Sequence, residues 1–353
     1  MSRPTMSDVA AEAGVSRALV SIVFRDMPGA SPASRDRVRE AARRIGYRPN
    51  TAARQLARSA ARTIGVLMTL RNPFHADIVE HLYTAAEPLG LDLMLATVGQ
   101  MRDTDTGLAT LAGYPCAGYV LLGPTCPVED IAELDRISPA VVVGERAAEG
   151  TVDVVRSDDE AGVRLALDHL YALGHRRIAH IGGAAGASMK ARVDTYLDWM
   201  AHHCPKERPD LLPGEDTEEG GLTAAHQLAS RKNPGARVSG GQRSPGADAS
   251  TSPEDLPTAV LAANDRCAIG LLRGLGERGI DVPARVCLIG FDDTDIGQFG
   301  GLSLTTVHQD AAALAEVAMD YLADRVAGAD TPPRLSVFTP VLRVRATTGP
   351  VPR

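Results

Sequence analysis

The chain has 353 residues, 44% of them hydrophobic and 23% charged, with a formal net charge of −7. That is the composition of a globular protein long enough for two or three compact domains. It contains no run of about 18 apolar residues, which excludes a helical membrane span, and its polar start, MSRPTMSDVAAEAG, lacks the apolar stretch of a secretory leader, so a cytoplasmic protein is expected.

The charge is unevenly divided. Residues 1–62 hold twelve arginines, no lysine and five acids, a net +7 that leaves −14 on the remainder. A basic head on an acidic body suits a polyanionic partner for the head alone, although a solvated helical surface would carry the same signal. Within the head, Thr5 and Asp8 have capping-box spacing at the start of a first helix, whose inward face is Val9, Ala10 and Ala13 and whose stop is Gly14. Ser16 caps a second helix with an apolar face of Leu19, Val20 and Val23. Ser31-Pro32 opens a third, which runs through Val38, Ala41, Ala42 and Ile45 to Gly46. Three short helices, the first two joined by a tight turn, predict a helix-turn-helix head over residues 1–46. Residues 47–61, a hinge rich in Ala and Arg, have too few apolar residues to be more than a marginal helix alone in water.

From residue 62 the pattern changes to short apolar runs separated by helical stretches. TIGVLM (63–68), LDLMLAT (91–97), GYVLL (118–122), AVVV (140–143), RIAHIG (177–182), TAVLAA (258–263) and RVCLIG (285–290) read as buried parallel strands. Helical periodicity fills gaps such as 158–173 and 264–278. This alternation predicts an α/β domain over 62–348, with two lobes and a ligand cleft outside the carboxyl ends of the strands. Residues 231–257 are dense in Gly, Ser and Pro and predict a disordered loop, read most simply as a tolerated insertion. Five cysteines (Cys116, Cys126, Cys204, Cys267, Cys287) never form a CxxC pair, so buried reduced thiols are expected, with no disulfide framework, metal or cofactor.

Several blocks resemble the lactose-repressor (LacI) family. MSDVAAEAGVSRALVSIVFRD (6–26) is similar to its helix-turn-helix signature, GYRPNTAARQLARS (46–59) to its hinge, and RTIGVL (62–67) to the start of its effector domain. NPF (72–74), GHRRIAHIGG (174–183), AVLAANDRCAIGLL (259–272), IGFDD (289–293), LTTVHQD (304–310) and VLRVRATT (341–348) follow in order, so the resemblance spans nearly the whole chain outside 231–257. It implies an all-α helix-turn-helix head plus hinge helix, joined to a two-lobed, periplasmic-binding-protein-like α/β effector domain with parallel sheets. It also implies a homodimeric repressor of a pseudo-palindromic double-stranded DNA operator, controlled by a small molecule, a carbohydrate or a related compound, with no membrane involved; an effector-independent DNA-binding regulator is the alternative.

The same resemblance assigns residues. On the second helix, Arg17, Ala18 and Ile22 occupy base-reading positions. An arginine there can bond bidentately to guanine, whereas Ala18 and Ile22 offer only apolar contact, and Ile22 replaces a residue that is often polar. Ser16, Ser21 and Arg25 are candidates for phosphate contacts. In the hinge, Leu56 matches a leucine that wedges into the central minor-groove step, Ala53 allows close approach, and Asn50 joins the DNA-facing set. Arg54, Arg58 and Arg62 could add phosphate contacts or stay solvated. For the effector cleft the matches are Asn72, Phe74, Arg192, Asn264, Asp292 and Gln309, which mix donors and acceptors suited to hydroxyl groups. Residue type alone leaves simpler roles open: Ile22 in a core, Asn264 as a helix cap, Asp292 in a turn, Arg192 on a surface. Asp216 and His75 stand where the family often places aromatic residues. GGAAGAS (182–188) is only loosely like a dinucleotide loop, and neither a Ser/His/Asp order nor HExxH is present, so an enzyme is not expected. A periplasmic binding protein would share the lobes but not the basic head, and a purely architectural DNA protein would leave the cleft idle.

Overall fold

A computed structural model of the chain describes residues 5–24, 28–45, 47, 62–182, 186–230 and 256–351, the side chains of 299–301 excepted. The chain divides into two units, Met1–Ala61 and Arg62–Arg353.

The first unit contains α1 (Met6–Ala13), α2 (Arg17–Phe24) and α3 (Pro32–Arg44). The Thr5/Asp8 capping box forms as the sequence predicts, and Gly14 ends α1 in the left-handed region at φ 61°. Ser31 caps α3 ahead of Pro32. Val9, Ala10, Ala13, Val20, Val23, Val38, Ala41 and Ala42 form the core, and each fully buried valine contributes roughly 1.5–3 kcal/mol. Leu19, expected on the inner face of α2, is only half-buried, because Val20 and Val23 already fill the space against α1 and α3. Of the hinge only Tyr47 is described. Arg25, Asn50, Ala53, Arg54, Leu56 and Arg58 lie outside the described residues.

The second unit has two lobes, each a six-stranded sheet with helices on both faces. The first lobe runs β1 (Thr63–Thr69), α4 (Pro73–Ala86), β2 (Asp92–Val98), α5 (Thr104–Ala112), β3 (Gly118–Leu122), α6 (Val128–Ile137), β4 (Ala140–Val143) and β5 (Asp153–Ser157). The chain then crosses into α7 (Asp159–Ala172), β6 (Ile178–Gly182), α8 (Ala187–His203), β7 (Asp210–Pro213), α9 (Glu218–Ala229), β8 (Ala259–Leu261), α10 (Asp265–Gly276), β9 (Cys287–Asp292) and β10 (Thr305–His308). It returns through α11 (Ala311–Val326) and β11 (Leu335–Phe338) to the first lobe, and crosses back at β12 (Val341–Arg343). The strand orders are β11-β5-β4-β3-β1-β2 and β12-β10-β9-β8-β6-β7. All pairings are parallel except β10 with β12.

All seven expected strands are present. β5, β7, β10, β11 and β12 lie outside those seven apolar runs, because they are short or carry charge and hydroxyl groups. Asp153 on β5, for example, is 1% exposed and takes the guanidinium groups of Arg325 and Arg334 at 2.8 Å each. One expectation is corrected: the polar stretch 231–257 ends inside the fold, with Leu256 4% exposed in the second lobe's core, while 231–255 lie outside the described residues. All five cysteines are free, four of them buried and Cys126 half-buried. Among the described residues no helix is long and apolar enough to cross a membrane, and no His/Cys/Asp/Glu group is arranged to hold a metal ion.

Candidate functional site

In the head, the Ser16 hydroxyl accepts the Leu19 N–H at 3.2 Å and so fixes the start of α2. Ser16, Arg17 and Ala18 are exposed in its first turn. Arg17 makes no ion pair among the described residues, which leaves its planar donor fork available. Ser21 and Ile22 are half-buried, and Ile22 reaches toward Gly29, so it belongs neither to the core nor to a fully open face. Arg44 pairs with Glu12 at 2.7 Å and ties the end of α3 to α1. Arg62, in the second unit, is exposed and its guanidinium lies over Gly90.

In the second unit a cavity of about 530 Å³ lies between the lobes, at the carboxyl ends of β1, β4 and β9 and the loops after β3, β8 and β10. This is where a parallel sheet presents ligand-binding loops. All six residues expected in the effector cleft line it: Asn72, Phe74, Arg192, Asn264, Asp292 and Gln309.

The chain already engages most of their polar atoms. Asn72 caps α4, its Oδ1 accepting the Phe74 N–H at 3.1 Å. Asn264 caps α10 through Cys267 N–H at 2.9 Å, and its amide donates to the Asp216 carbonyl at 3.1 Å. The cap role and the place in the cleft therefore coexist. Arg192 is 9% exposed, not a surface charge. Its Nε donates to Asp159 at 2.7 Å, its Nη1 to the Ala263 carbonyl at 3.0 Å, and its guanidinium lies 3.5 Å above the Phe291 ring. Nη2 makes no hydrogen bond among the described residues. Asp292 accepts from Gln309 Nε2 at 2.7 Å, and burial pushes its carboxyl well above the usual range against the pull of Arg192.

Asp292 and Asp293 both have positive φ, 113° and 61°, a strained conformation for residues with a side chain. Flanking contacts hold it. Asp293 pairs with Arg345 at 2.5 Å and His308 at 3.0 Å. Asp265, fully buried, accepts from Thr294 N at 2.8 Å and from the hydroxyls of Thr294 and Thr306 at 3.1 and 2.6 Å; burial raises its pKa to about 6.

The sequence reading assigned no role to two cleft residues that join the lobes. Glu145, just after β4 and 5% exposed, accepts the N–H groups of Arg146 at 2.7 Å, Ala147 at 3.1 Å and, across the cleft, Ser188 at 3.2 Å. Its place beyond a buried parallel strand was the available signal. Ser188, in the first turn of α8, has a buried hydroxyl with no hydrogen-bond partner among the described residues. His75 and Asp216, noted only as replacing aromatics, also line the cavity. His75 Nδ1 accepts the Thr69 N–H at 3.0 Å, and burial lowers its pKa to about 4, so the ring is neutral with its proton on Nε2.

Comparisons with known proteins agree with this layout. Residues 5–50 match the profile of bacterial regulatory proteins of the lacI family. Residues 61–244 match that of periplasmic binding proteins and the sugar binding domain of the LacI family, and residues 167–348 that of a periplasmic binding protein-like domain. The HTH-type transcriptional regulator GalR of Salmonella typhimurium is 31% identical over 343 residues, 96% of this chain and 94% of its own. The crystal structure of a LacI transcriptional regulator from a Rhodococcus species is 35% identical and superposes with a TM-score of 0.72, covering 83% of this chain and all of that one. A complex of the transcriptional regulator CelR with cellobiose is 27% identical with a TM-score of 0.67, covering 98% and 100%.

Proposed function

The chain belongs to the LacI family of bacterial regulatory proteins and is a DNA-binding transcriptional regulator rather than an enzyme. On that premise we propose that it acts as a cytoplasmic homodimeric repressor whose operator affinity is set by a sugar or related ligand in the interlobe cleft. Residues 1–46 form the reading head, 47–61 the hinge and 62–348 the effector and dimerisation domain. Two copies of α2 enter successive major grooves of a pseudo-palindrome, where Arg17 reads guanine, Ala18 and Ile22 make apolar contacts with bases, and Ser16, Ser21 and Arg25 hold phosphates. The hinges order in the central minor groove, with Asn50 and Ala53 facing the DNA and Leu56 as the wedge.

Asn72, Phe74, Arg192, Asn264, Asp292 and Gln309 contact the ligand. The observation that carries this reading is their convergence on one cavity in a chain that also bears a basic helix-turn-helix head. A ligand bridging the lobes favours their closed arrangement and so biases the hinges, a shift limited to its differential affinity for the two states. The first experiment is selection of genomic fragments by the purified protein at physiological salt. A shared pseudo-palindrome is the expected result. Recovery of no motif, with binding that vanishes as salt rises, would leave only phosphate attraction and overturn the reading.

A further inference from the structure

Helices α4, α8, α9 and α10 begin at or beside the cleft, and helix N-termini are the usual protein device for holding phosphates and carboxylates. Here each one is occupied by an oxygen of the chain itself. Asn72 Oδ1 fills the start of α4, Asn264 Oδ1 that of α10 and Thr217 Oγ1 that of α9. The start of α8 is occupied by the Glu145 side chain, and a side chain at Gly186 (φ 114°) would meet it at 2.6 Å.

Among the described residues the one Arg or Lys lining the cavity, Arg192, offers no fork. Nε is held by Asp159 and Nη1 by the Ala263 carbonyl, so neither edge of the guanidinium can make the paired bonds that phosphate and carboxylate prefer. Arg192 is, moreover, already neutralised by Asp159. The remaining acidic lining groups are Glu145, Glu215 and Asp216, with Asp292 beside them held toward its neutral form by burial. The adjoining opening past Phe74 and Gln309 carries Asp77, Glu80, Asp295 and Asp310. What stays available is suited to hydroxyl groups: the unpartnered Ser188 hydroxyl, the His75 Nε2–H, the Asn72 amide, Arg192 Nη2 and the second oxygen of Asp292.

We propose that the cleft admits a polyhydroxy ligand bearing no anionic group and rejects phosphate esters and sugar acids. The proposal rests on the cleft being the effector site. Among the described residues the acids of the cleft outnumber the cations near them, the paired Arg192 and the exposed Arg71 whose charge reaches Glu218, so the lining repels an anion, and like charges placed face to face weaken a complex severely.

The test is calorimetric titration and thermal unfolding of the full-length protein with matched sets. Each set contains a neutral compound and its charged relatives: ribose with ribose 5-phosphate; glucose with glucosamine, glucose 6-phosphate and glucuronate; galactose with galactosamine and galactose 1-phosphate; adenosine with its monophosphate. At least one neutral or amino member should bind, with its phosphate or acid binding at least about tenfold more weakly. Asp216→Asn, which removes a charge without touching the backbone carbonyl that holds Asn264, should narrow the gap between neutral and phosphorylated members. An anionic member binding as tightly as its neutral partner would overturn the proposal while leaving the effector site in place. Binding unaffected by Asp292→Asn, or no binding by any set, would overturn both.

Discussion

Arg192→Met removes a buried cation from the cleft, and its cost can be worked out from its contacts. The Arg192 and Asp159 side chains are 11% and 4% exposed and meet at 2.7 Å. Deleting the cation leaves Asp159 as a buried carboxylate with no partner and the Ala263 carbonyl without its donor, a loss of about 3–5 kcal/mol. Arg192→Met combined with Asp159→Asn removes the stranded charge as well, and should return to within about 1–2 kcal/mol of the parent. Urea unfolding followed by fluorescence reports this directly, because the single tryptophan, Trp199, lies in the core that α8 shares with α7. A single-variant loss under about 1 kcal/mol at neutral pH, or a double variant no more stable than the single, would show that Arg192 is not the counterion described.

Other substitutions test separate parts of the structure. Burial raises Asp265 to about 6, so its folded form holds a proton that the unfolded chain releases near 3.8. The stability this gives is present below pH 4 and lost as pH rises through 6. Asp265→Asn should therefore gain on the parent by about 2–3 kcal/mol across that window, and a gap independent of pH in paired urea titrations would contradict the assignment. A methyl group at Gly221 would sit 1.9 Å from the Cys267 carbonyl and 2.6 Å from Leu271 N, so Gly221→Ala should prise α9 from α10 and lower stability by about 1–3 kcal/mol. An unchanged Tm would mean the helices can separate freely. Arg17→Ala should relax preference at one symmetric base position by about 1–3 kcal/mol in competition binding, whereas a uniform loss over all sequences would reassign it to phosphate contact. Leu56→Ala should weaken operator binding far more than nonspecific binding, and equal losses would sink the wedge.

The sequence was most legible where one interaction dominates. Capping chemistry placed the head helices: Thr5, Ser16 and Ser31 each accept the backbone N–H their positions predict. Continuous apolar runs placed the central strands, and GYVLL and AVVV coincide with β3 and β4. Strands stabilised by polar side chains were hidden. In β10, Thr305 and Thr306 are fully buried because their hydroxyls bond to Thr348 and Asp265, a compensation that involves residues 43 and 41 positions away. Leu256 lay beyond reading for a related reason, since one apolar residue after a long polar stretch carries no periodicity. In the cleft, the family blocks hold Asn72, Phe74, Asn264, Asp292 and Gln309, and the resemblance added Arg192, but Glu145 matched nothing in the family pattern. Its role depends on facing the start of α8 from the other lobe, a relation that only the folded chain establishes.

The central claim is that head and cleft are energetically coupled in one chain, which the affinity of the full-length protein for its selected DNA fragment measures directly. A ligand that fills the cleft should change that affinity by at least about fivefold, the lower end of ordinary allosteric coupling, and Gln309→Ala should abolish the effect while leaving ligand-free DNA binding intact. A ligand that binds the cleft and leaves DNA affinity unchanged, or one that acts equally on parent and variant, would contradict the account.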